Sequence, residues 1–168
     1  MKEKIAKWID LNTNCEKNII KASKWYHKEK NQAIWRLLAF IKHRRNKKRY
    51  NIEIYPECKL GNIQIPHAVG IVIGRTSEIG DNTIIMPNVV VGAKYSPKQE
   101  NPSSRRHAII GENCILGTGC KIIGNIIIGN NVTIGANSVV TKDVPSNSVV
   151  VGINKIINKE EENGRKKV

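Results

Sequence analysis

The chain of 168 residues is poor in aromatic side chains, which make up 5% of it and include a single Phe. Long apolar runs are missing too, and none approaches the roughly 18 residues that a membrane-spanning helix needs. The residues after Met1 are charged, unlike the apolar centre of a signal peptide. From the last two observations we expect a cytoplasmic protein. Because its apolar residues are mostly Ile and Val, we expect it to be built largely of β structure.

The cysteines lack the close pairing that thiolate metal sites use. They are Cys15, Cys58, Cys114 and Cys120, and no two of them form a Cys-x-x-Cys pair. Cytosolic thiols normally stay reduced. We therefore expect neither a disulfide nor a metal site.

Acidic residues are scarce, with 14 Asp and Glu against 28 Lys and Arg, for a net charge of +14. The excess lies at one end, since residues 1–50 hold fifteen Lys and Arg and four Asp and Glu. Such a segment suits nucleic acid, an anionic lipid surface or a polyanionic glycan, or it is simply a solvated helix surface. Charge alone leaves these alternatives open.

Residues 1–50 are predicted to form a basic helical segment. Four apolar residues have the spacing of one helical face: Ile34, Leu37, Leu38 and Ile41. We expect this apolar stripe to pack on the chain's own domain or on a neighbouring subunit. The three tryptophans of the segment keep contact with a membrane surface as an alternative.

From residue 51 onward aliphatic residues recur at every sixth position. They are Ile73, Ile79, Ile85 and Val91, and then Ile110, Leu116, Ile122, Ile128, Ile134 and Val140. A six-residue period indicates a short strand followed by a tight corner, so that three units close one triangular coil. Because no coil can bury its faces alone, the pattern predicts a solenoid over residues 51–158 with an end that must be capped.

One polar stretch, residues 93–109, interrupts this period and is predicted to protrude as a loop, a common place for function. A charged tail, residues 159–168, follows the repeat. Within the repeat, Cys114 and Cys120 occupy a small-residue position four places after an aliphatic residue. We expect both thiols to point into the core.

Several segments occur in the order found in a known family. They are EIYPECKLG (from Glu53), IPHAVGIVIG (from Ile65), RRHAIIG, LGTGCKIIG and IGANSVV. With these, Ile52 to Ile157 resembles the serine acetyltransferases and, more closely, their relatives that acetylate sugars in capsule, colanic acid or O-antigen synthesis. The resemblance implies an all-β left-handed parallel β-helix of hexapeptide repeats, acetyl-CoA as co-substrate without a metal, and a homotrimer.

The resemblance also implies catalytic residues. His67 takes the place of the general base that removes the proton from the acceptor hydroxyl, a task that suits an imidazole with a pKa of about 6.5. Glu53 matches the carboxylate that pairs with this base, although a one-residue gap in the match leaves Glu57 as a competitor. His107 matches a histidine that contacts the acceptor or the tetrahedral intermediate.

Substrate-binding residues follow from the same match. Arg106 would neutralise developing charge or an acidic substrate group, and Pro66 and Asn88 are further candidates for contact with the acceptor. Serine acetyltransferases have an aspartate at the position of Pro66, where it holds the amino group of serine. The family's long helical N-terminal domain is also replaced by residues 1–50.

The acetyl-CoA site is placed by the resemblance near the C-terminal end of the repeat. Its backbone groove is assigned to Gly117, Thr118, Gly135 and Ala136. Thr118 and Ala136 are one full coil apart, so their amides should stack on one edge. Lys142 and Lys155 are expected to meet the phosphates of CoA.

Together these features predict an O-acetyltransferase that acetylates a glycan or lipid-linked glycan in surface polysaccharide biosynthesis. Residues 1–50 would add a peripheral contact with the anionic inner face of the membrane, while nucleic acid is not expected as a partner. The alternative with a different acceptor is an L-serine O-acetyltransferase of cysteine biosynthesis. The alternative from another functional class is a non-enzymatic scaffold that binds polyanions. A zinc enzyme on the same solenoid needs three histidines, and the solenoid has only His67 and His107.

Overall fold

The computed structural model describes residues 15–28, 32–94 and 105–158. Two helices, α1 (15–26) and α2 (Gln32–Tyr50), precede the strands. The strands are β1 (Glu53–Ile54), β2 (Lys59–Leu60), β3 (Val72–Ile73), β4 (Glu78–Ile79), β5 (Ile84–Ile85), β6 (Val90–Gly92), β7 (Ile109–Ile110), β8 (Ile115–Leu116), β9 (Lys121–Ile123), β10 (Ile127–Ile128), β11 (Thr133–Ile134), β12 (Val139–Val140), β13 (Ser148–Val151) and β14 (Lys155–Asn158).

The strands stack into three sheets that form the sides of a prism. Sheet A runs β1-β3-β6-β9-β12, sheet B runs β10-β7-β4-β2, and sheet C runs β14-β13-β11-β8-β5. Among the strands of the described residues, every pairing is parallel except that of β13 with β14. Val72 pairs with Val90, and Lys121 with Val139, so each residue meets its counterpart one coil of three repeat units later. The chain therefore winds through A, B and C in turn, which confirms the predicted parallel β-helix.

The repeated aliphatic residues form the core of this prism. In the two-residue strands the second residue is buried and the first is at least partly exposed, because successive side chains point to opposite faces. All ten residues of the six-residue period are buried, as predicted, and Ile79 is the most exposed of them at 3%. Cys114 and Cys120 are fully buried among them. No disulfide joins any of the four cysteines, all of which lie in the described part of the chain.

Helix α1 caps the first coil. Cys15 and Ile19 are buried in one apolar cluster with residues of the solenoid. The carboxylate of Glu16 accepts a hydrogen bond of 2.9 Å from the backbone N–H of Ile65, and the hydroxyl of Ser23 donates to the carbonyl of Cys58. The helix thus covers apolar residues and satisfies backbone groups that would otherwise end the stack unpaired.

Helix α2 packs through a face other than the apolar stripe. Ala39, His43 and Asn46 are its buried residues, and Nδ1 of His43 donates to the carbonyl of Ile54 at 2.9 Å. The stripe is instead exposed, with Ile34 at 60% and Leu37 at 62%. The stripe therefore does not pack on the chain's own domain, and its packing on a neighbouring subunit stays a prediction.

The predicted loop enters between sheets A and B. Val90 of β6 pairs with Lys121 of β9, and Lys121 pairs in turn with Val139 of β12. The first of these two coils is the longer in sequence, because it alone carries the insertion. Ala108 is buried and Ile109 belongs to β7, so the coil resumes before residue 109. Most of the loop, the predicted tail 159–168 and residues 1–14 of the basic segment lie outside the described residues.

Candidate active site

The candidate site residues fall on two corner columns of the prism. We call the column between sheets C and A edge CA; it comprises residues 66–70, 86–88, 117–119 and 135–137. The column between sheets A and B is edge AB; it comprises residues 55–58, 74–77, 105–108, 124–126 and 141–143.

Edge CA brings the candidate base into line with the candidate cofactor residues. The N–H of Asn88 donates to Val69, that of Gly119 to Pro87, and that of Asn137 to Thr118, at 2.8–2.9 Å. These bonds tie the four corners into one ladder. His67, Asn88, Thr118 and Ala136 therefore lie along one edge of the prism.

The groove segment of edge CA has an accessible backbone. Thr118 and Ala136 are exposed and stack one coil apart, as predicted. Gly117 lies against the next corner so closely that a Cβ atom there would come within 2.8 Å of the Ala136 nitrogen. Only glycine permits this approach, which leaves the stacked backbone uncovered for an extended ligand.

The two candidate lysines lie apart from each other. Lys142 is on edge AB. Lys155 pairs with Val151 and directly follows residues 152–154, which hydrogen-bond to Val139 at the end of edge CA. The single chain therefore brings Lys155, but not Lys142, next to edge CA. Their predicted contact with the CoA phosphates stays a prediction.

Glu53 is engaged away from the predicted partner. Lys47 Nζ donates to its Oε2 at 2.7 Å and the Tyr55 hydroxyl donates to its Oε1 at 2.6 Å. These two hydrogen bonds, that of Lys47 first, hold the pKa of the Glu53 carboxyl below its ordinary value. His67 and Pro66 are exposed on edge CA. The predicted pairing of Glu53 with His67 is not among the contacts of Glu53 here and stays a prediction.

His107 is held on edge AB by the corner of the preceding coil. Thr76 Oγ1 accepts hydrogen bonds from the backbone N–H groups of Arg106 and His107, at 3.0 and 3.2 Å. The same hydroxyl lies 2.8 Å from Nδ1 of His107. Since the Thr76 N–H also points at Nδ1, at 3.4 Å, this nitrogen is the acceptor. The neutral ring therefore carries its proton on Nε2.

Burial, and then the charge of Arg106, lower the pKa of His107. The neutral imidazole is thus favoured at neutral pH. A neutral ring with its N–H at Nε2 can donate a hydrogen bond to an oxygen that gains negative charge. Sequence reasoning missed Thr76, because its contact with His107 exists only once their two coils have stacked.

The two histidines do not meet within one chain. Sheet A separates their edges. His67 lies in the corner that precedes β3 and ends at Gly70, and His107 packs against Gly74, the residue that follows β3. Four strand residues at about 3.3 Å each place these edges on the order of 13 Å apart. A site that uses both histidines needs edge CA of one chain beside edge AB of another.

Within residues 15–28, 32–94 and 105–158, no three His, Cys, Asp or Glu side chains are grouped to hold a metal ion. The helices in these ranges include none that is long and apolar enough to cross a membrane. The cytoplasmic location and the peripheral membrane contact stay predictions.

The repeat and its coils define a class of protein. Residues 107–142 match the family described as "Bacterial transferase hexapeptide (six repeats)". The chain is a hexapeptide-repeat protein with a left-handed parallel β-helix and an N-terminal helical segment, as predicted.

Particular relatives share an activity in their names. The chain is 40% identical over 123 residues to a serine acetyltransferase of Synechococcus elongatus, covering 73% of this chain and 47% of that protein. Soybean serine acetyltransferase complexed with serine superposes with a TM-score of 0.71 at 32% identity, covering 83% and 54%. Serine acetyltransferase from Brucella abortus in complex with coenzyme A has a TM-score of 0.68 at 33% identity, covering 81% and 52%.

The chain thus spans about half the length of the relatives it matches. Those relatives are named for serine, and none of the three is named for a sugar or a polysaccharide. The expectation of a glycan acceptor in surface polysaccharide biosynthesis is therefore wrong. It rested on Pro66 and on the basic segment, and neither feature excludes an amino acid from binding elsewhere in the site.

Proposed function

We propose that this chain transfers the acetyl group of acetyl-CoA to the hydroxyl of L-serine. The observation that carries the proposal is edge CA, which aligns an exposed histidine with a stacked backbone groove. The serine acetyltransferase relatives agree with it, and one of them was solved with coenzyme A and another with serine.

The proposed chemistry begins at His67. Its imidazole takes the proton of the serine hydroxyl as the oxygen adds to the thioester carbonyl of acetyl-CoA. The resulting oxyanion collapses, the carbon–sulfur bond breaks, and the imidazolium returns its proton to the CoA thiolate. The products are O-acetyl-L-serine and CoA, and the imidazole of His67 is neutral again.

The proposed acetyl-CoA groove runs over the stacked corners of Thr118 and Ala136. Glycines before both residues keep side chains off the backbone, so its amides can reach the pantetheine arm. In this arrangement the thioester end points along edge CA toward His67. The Nε2–H of His107 is the proposed donor to the oxyanion.

We also propose a homotrimer with active sites between subunits. Its support is the separation of the two histidine edges by sheet A. Apolar side chains on the outer faces of the sheets give further support, since Val72, Ile115 and Ile127 are 38%, 41% and 50% exposed. Light scattering should give three times the chain mass. A monomer that retains full activity would refute this arrangement.

The test of the function is a thiol-release assay with acetyl-CoA. CoA release should require L-serine and yield O-acetylserine by mass spectrometry. L-alanine, which lacks only the hydroxyl, is the matched control and should give the background rate. Release that is equally fast with L-alanine, or with no acceptor, would overturn the proposal.

A further inference from the structure

An amino acid acceptor must have its two charged ends held. An unpaired charge taken from water into a site is costly, so a serine site needs an anion for the ammonium group and a cation for the carboxylate. Pro66 can supply neither, because its ring carries no charge and no donor. If L-serine is the acceptor, the anchor lies elsewhere.

A cleft on edge AB has the required charges. It has a volume of about 360 Å³, and its lining includes Glu57, Arg75, Thr76 and Arg105. Glu57 comes from the corner of the first coil, Arg75 and Thr76 from that of the second, and Arg105 from the end of the inserted segment. Stacked corners thus bring together one carboxylate and two guanidinium groups that are far apart in sequence.

Two charged atoms in this cleft are buried without a hydrogen bond. They are Oε2 of Glu57 and Nη1 of Arg105. Leaving buried charged groups unpaired costs more than leaving neutral ones, so native proteins rarely do so without a ligand or a function. The carboxylate oxygen would accept from the ammonium group of a bound zwitterion, and the guanidinium nitrogen would donate to its carboxylate.

The ion pairs of the cleft do not use the unpaired oxygen of Glu57. Arg75 Nε is 3.7 Å from Oε1 of Glu57, longer than a hydrogen bond. The other carboxylate of the cleft, Glu78, is already engaged by Lys59 at 2.9 Å. Glu57 is therefore the acid in the cleft that can accept a new ammonium group.

The cleft also adjoins the candidate catalytic histidine. Thr76 lines the cleft, and its hydroxyl lies 2.8 Å from Nδ1 of His107. An amino acid bound there would have its side chain beside the ring that we assign to the oxyanion. The hydroxyl of serine is one carbon from the centre that carries both charges, so the anchor and the reacting atom fall within one small site.

We infer that this cleft binds the amino acid acceptor as a zwitterion, with Glu57 accepting from its α-ammonium group and Arg105, with Arg75, donating to its α-carboxylate. This inference rests on the proposed function for the identity of the amino acid. It names an anchor on edge AB in place of the carboxylate that is missing at residue 66. The residues are specificity determinants and take no part in bond breaking.

The test compares L-serine binding and turnover in Glu57→Gln, Arg105→Gln and the unchanged protein. Each substitution should weaken L-serine binding, measured by calorimetry, and raise KM for L-serine by about tenfold or more, since each removes a charge-assisted hydrogen bond. KM for acetyl-CoA should stay within a few-fold. Glu78→Gln is the matched control, because it removes the same charge from the same cleft while Lys59 occupies that carboxylate.

L-serinamide separates lost recognition from general damage. The unchanged protein should prefer L-serine over this amide, and Arg105→Gln should reduce that preference several-fold, because the amide lacks the carboxylate that Arg105 binds and only Arg75 remains to recognise it. Equal effects of Glu57→Gln and Glu78→Gln, or an unchanged preference in Arg105→Gln, would overturn the anchor while serine turnover stands. L-serine binding that Glu57→Gln weakens, without any turnover, would leave the anchor in place and overturn the proposed reaction.

Discussion

The imidazole of His107 lies directly against Gly74, in the space that a side chain at Gly74 would fill. The two residues are far apart in sequence, and the stacking of coils brings them into contact. Thr76, which follows Gly74 in the same corner, holds Nδ1 of the same ring. One corner of the second coil therefore positions a candidate catalytic residue.

Gly74→Ala should displace His107 and lower kcat by up to about 10²-fold, because a new Cβ atom would overlap Nε2. The rate is measured by thiol release and the fold by circular dichroism. Gly92→Ala is the control, since its nearest neighbour is the flexible end of Ile123 at 3.2 Å. If both variants keep full activity, the position of His107 does not matter to the reaction.

His67→Ala should leave the fold and the affinity for CoA intact and lower kcat by about 10²–10⁴, the usual contribution of a general base. Its exposed place on edge CA means that truncation removes no core packing. CoA affinity is measured by calorimetry and turnover by thiol release. Activity within a few-fold of the unchanged protein would remove His67 from the mechanism.

The pH response of His107 follows from its lowered pKa. Burial is the larger cause and stays in place in Arg106→Gln, so this variant should raise the pKa only part of the way toward its ordinary value of about 6.5. A proton NMR titration of the imidazole measures both values. A ring in the unchanged protein that titrates at or above the ordinary value would contradict the geometry described for Nδ1.

The same shift links His107 to stability. Because the folded pKa lies below the unfolded one, the unfolded chain binds the proton more readily once the pH falls below about 6.5. The contribution of the neutral ring is fully present above that pH and is lost as the pH falls toward the folded pKa. Thermal unfolding between pH 5 and 8 should show this loss reduced in His107→Gln.

The aliphatic columns should dominate stability. Ile122→Ala removes a fully buried side chain and should lower the free energy of unfolding by about 2–5 kcal/mol. Glu112→Ala changes an exposed residue on the corner between sheets B and C and should cost less than about 1 kcal/mol. Urea unfolding measures both. Similar losses in the two variants would mean that the columns are not the main source of stability.

The sequence by itself determined the six-residue repeat and the triangular coil that three repeats form. A six-residue period is a local rule, because each strand and corner depends on a few neighbouring side chains, and identical units stack in only one register. The stacking of Thr118 on Ala136 followed from their separation by one full coil alone. The buried positions of Cys114 and Cys120 followed from the same period.

Only the tertiary structure decided which surfaces of these elements meet. Helix α2 buries the face of Ala39, His43 and Asn46, on which His43 contacts Ile54, and leaves exposed the apolar stripe that its sequence displays. The position of His107 depends on Gly74 and Thr76 from another coil, and the cleft that Glu57 and Arg105 line forms only after stacking. Such contacts join residues that are distant in sequence, and no local pattern records them because their geometry exists only once the coils are in place.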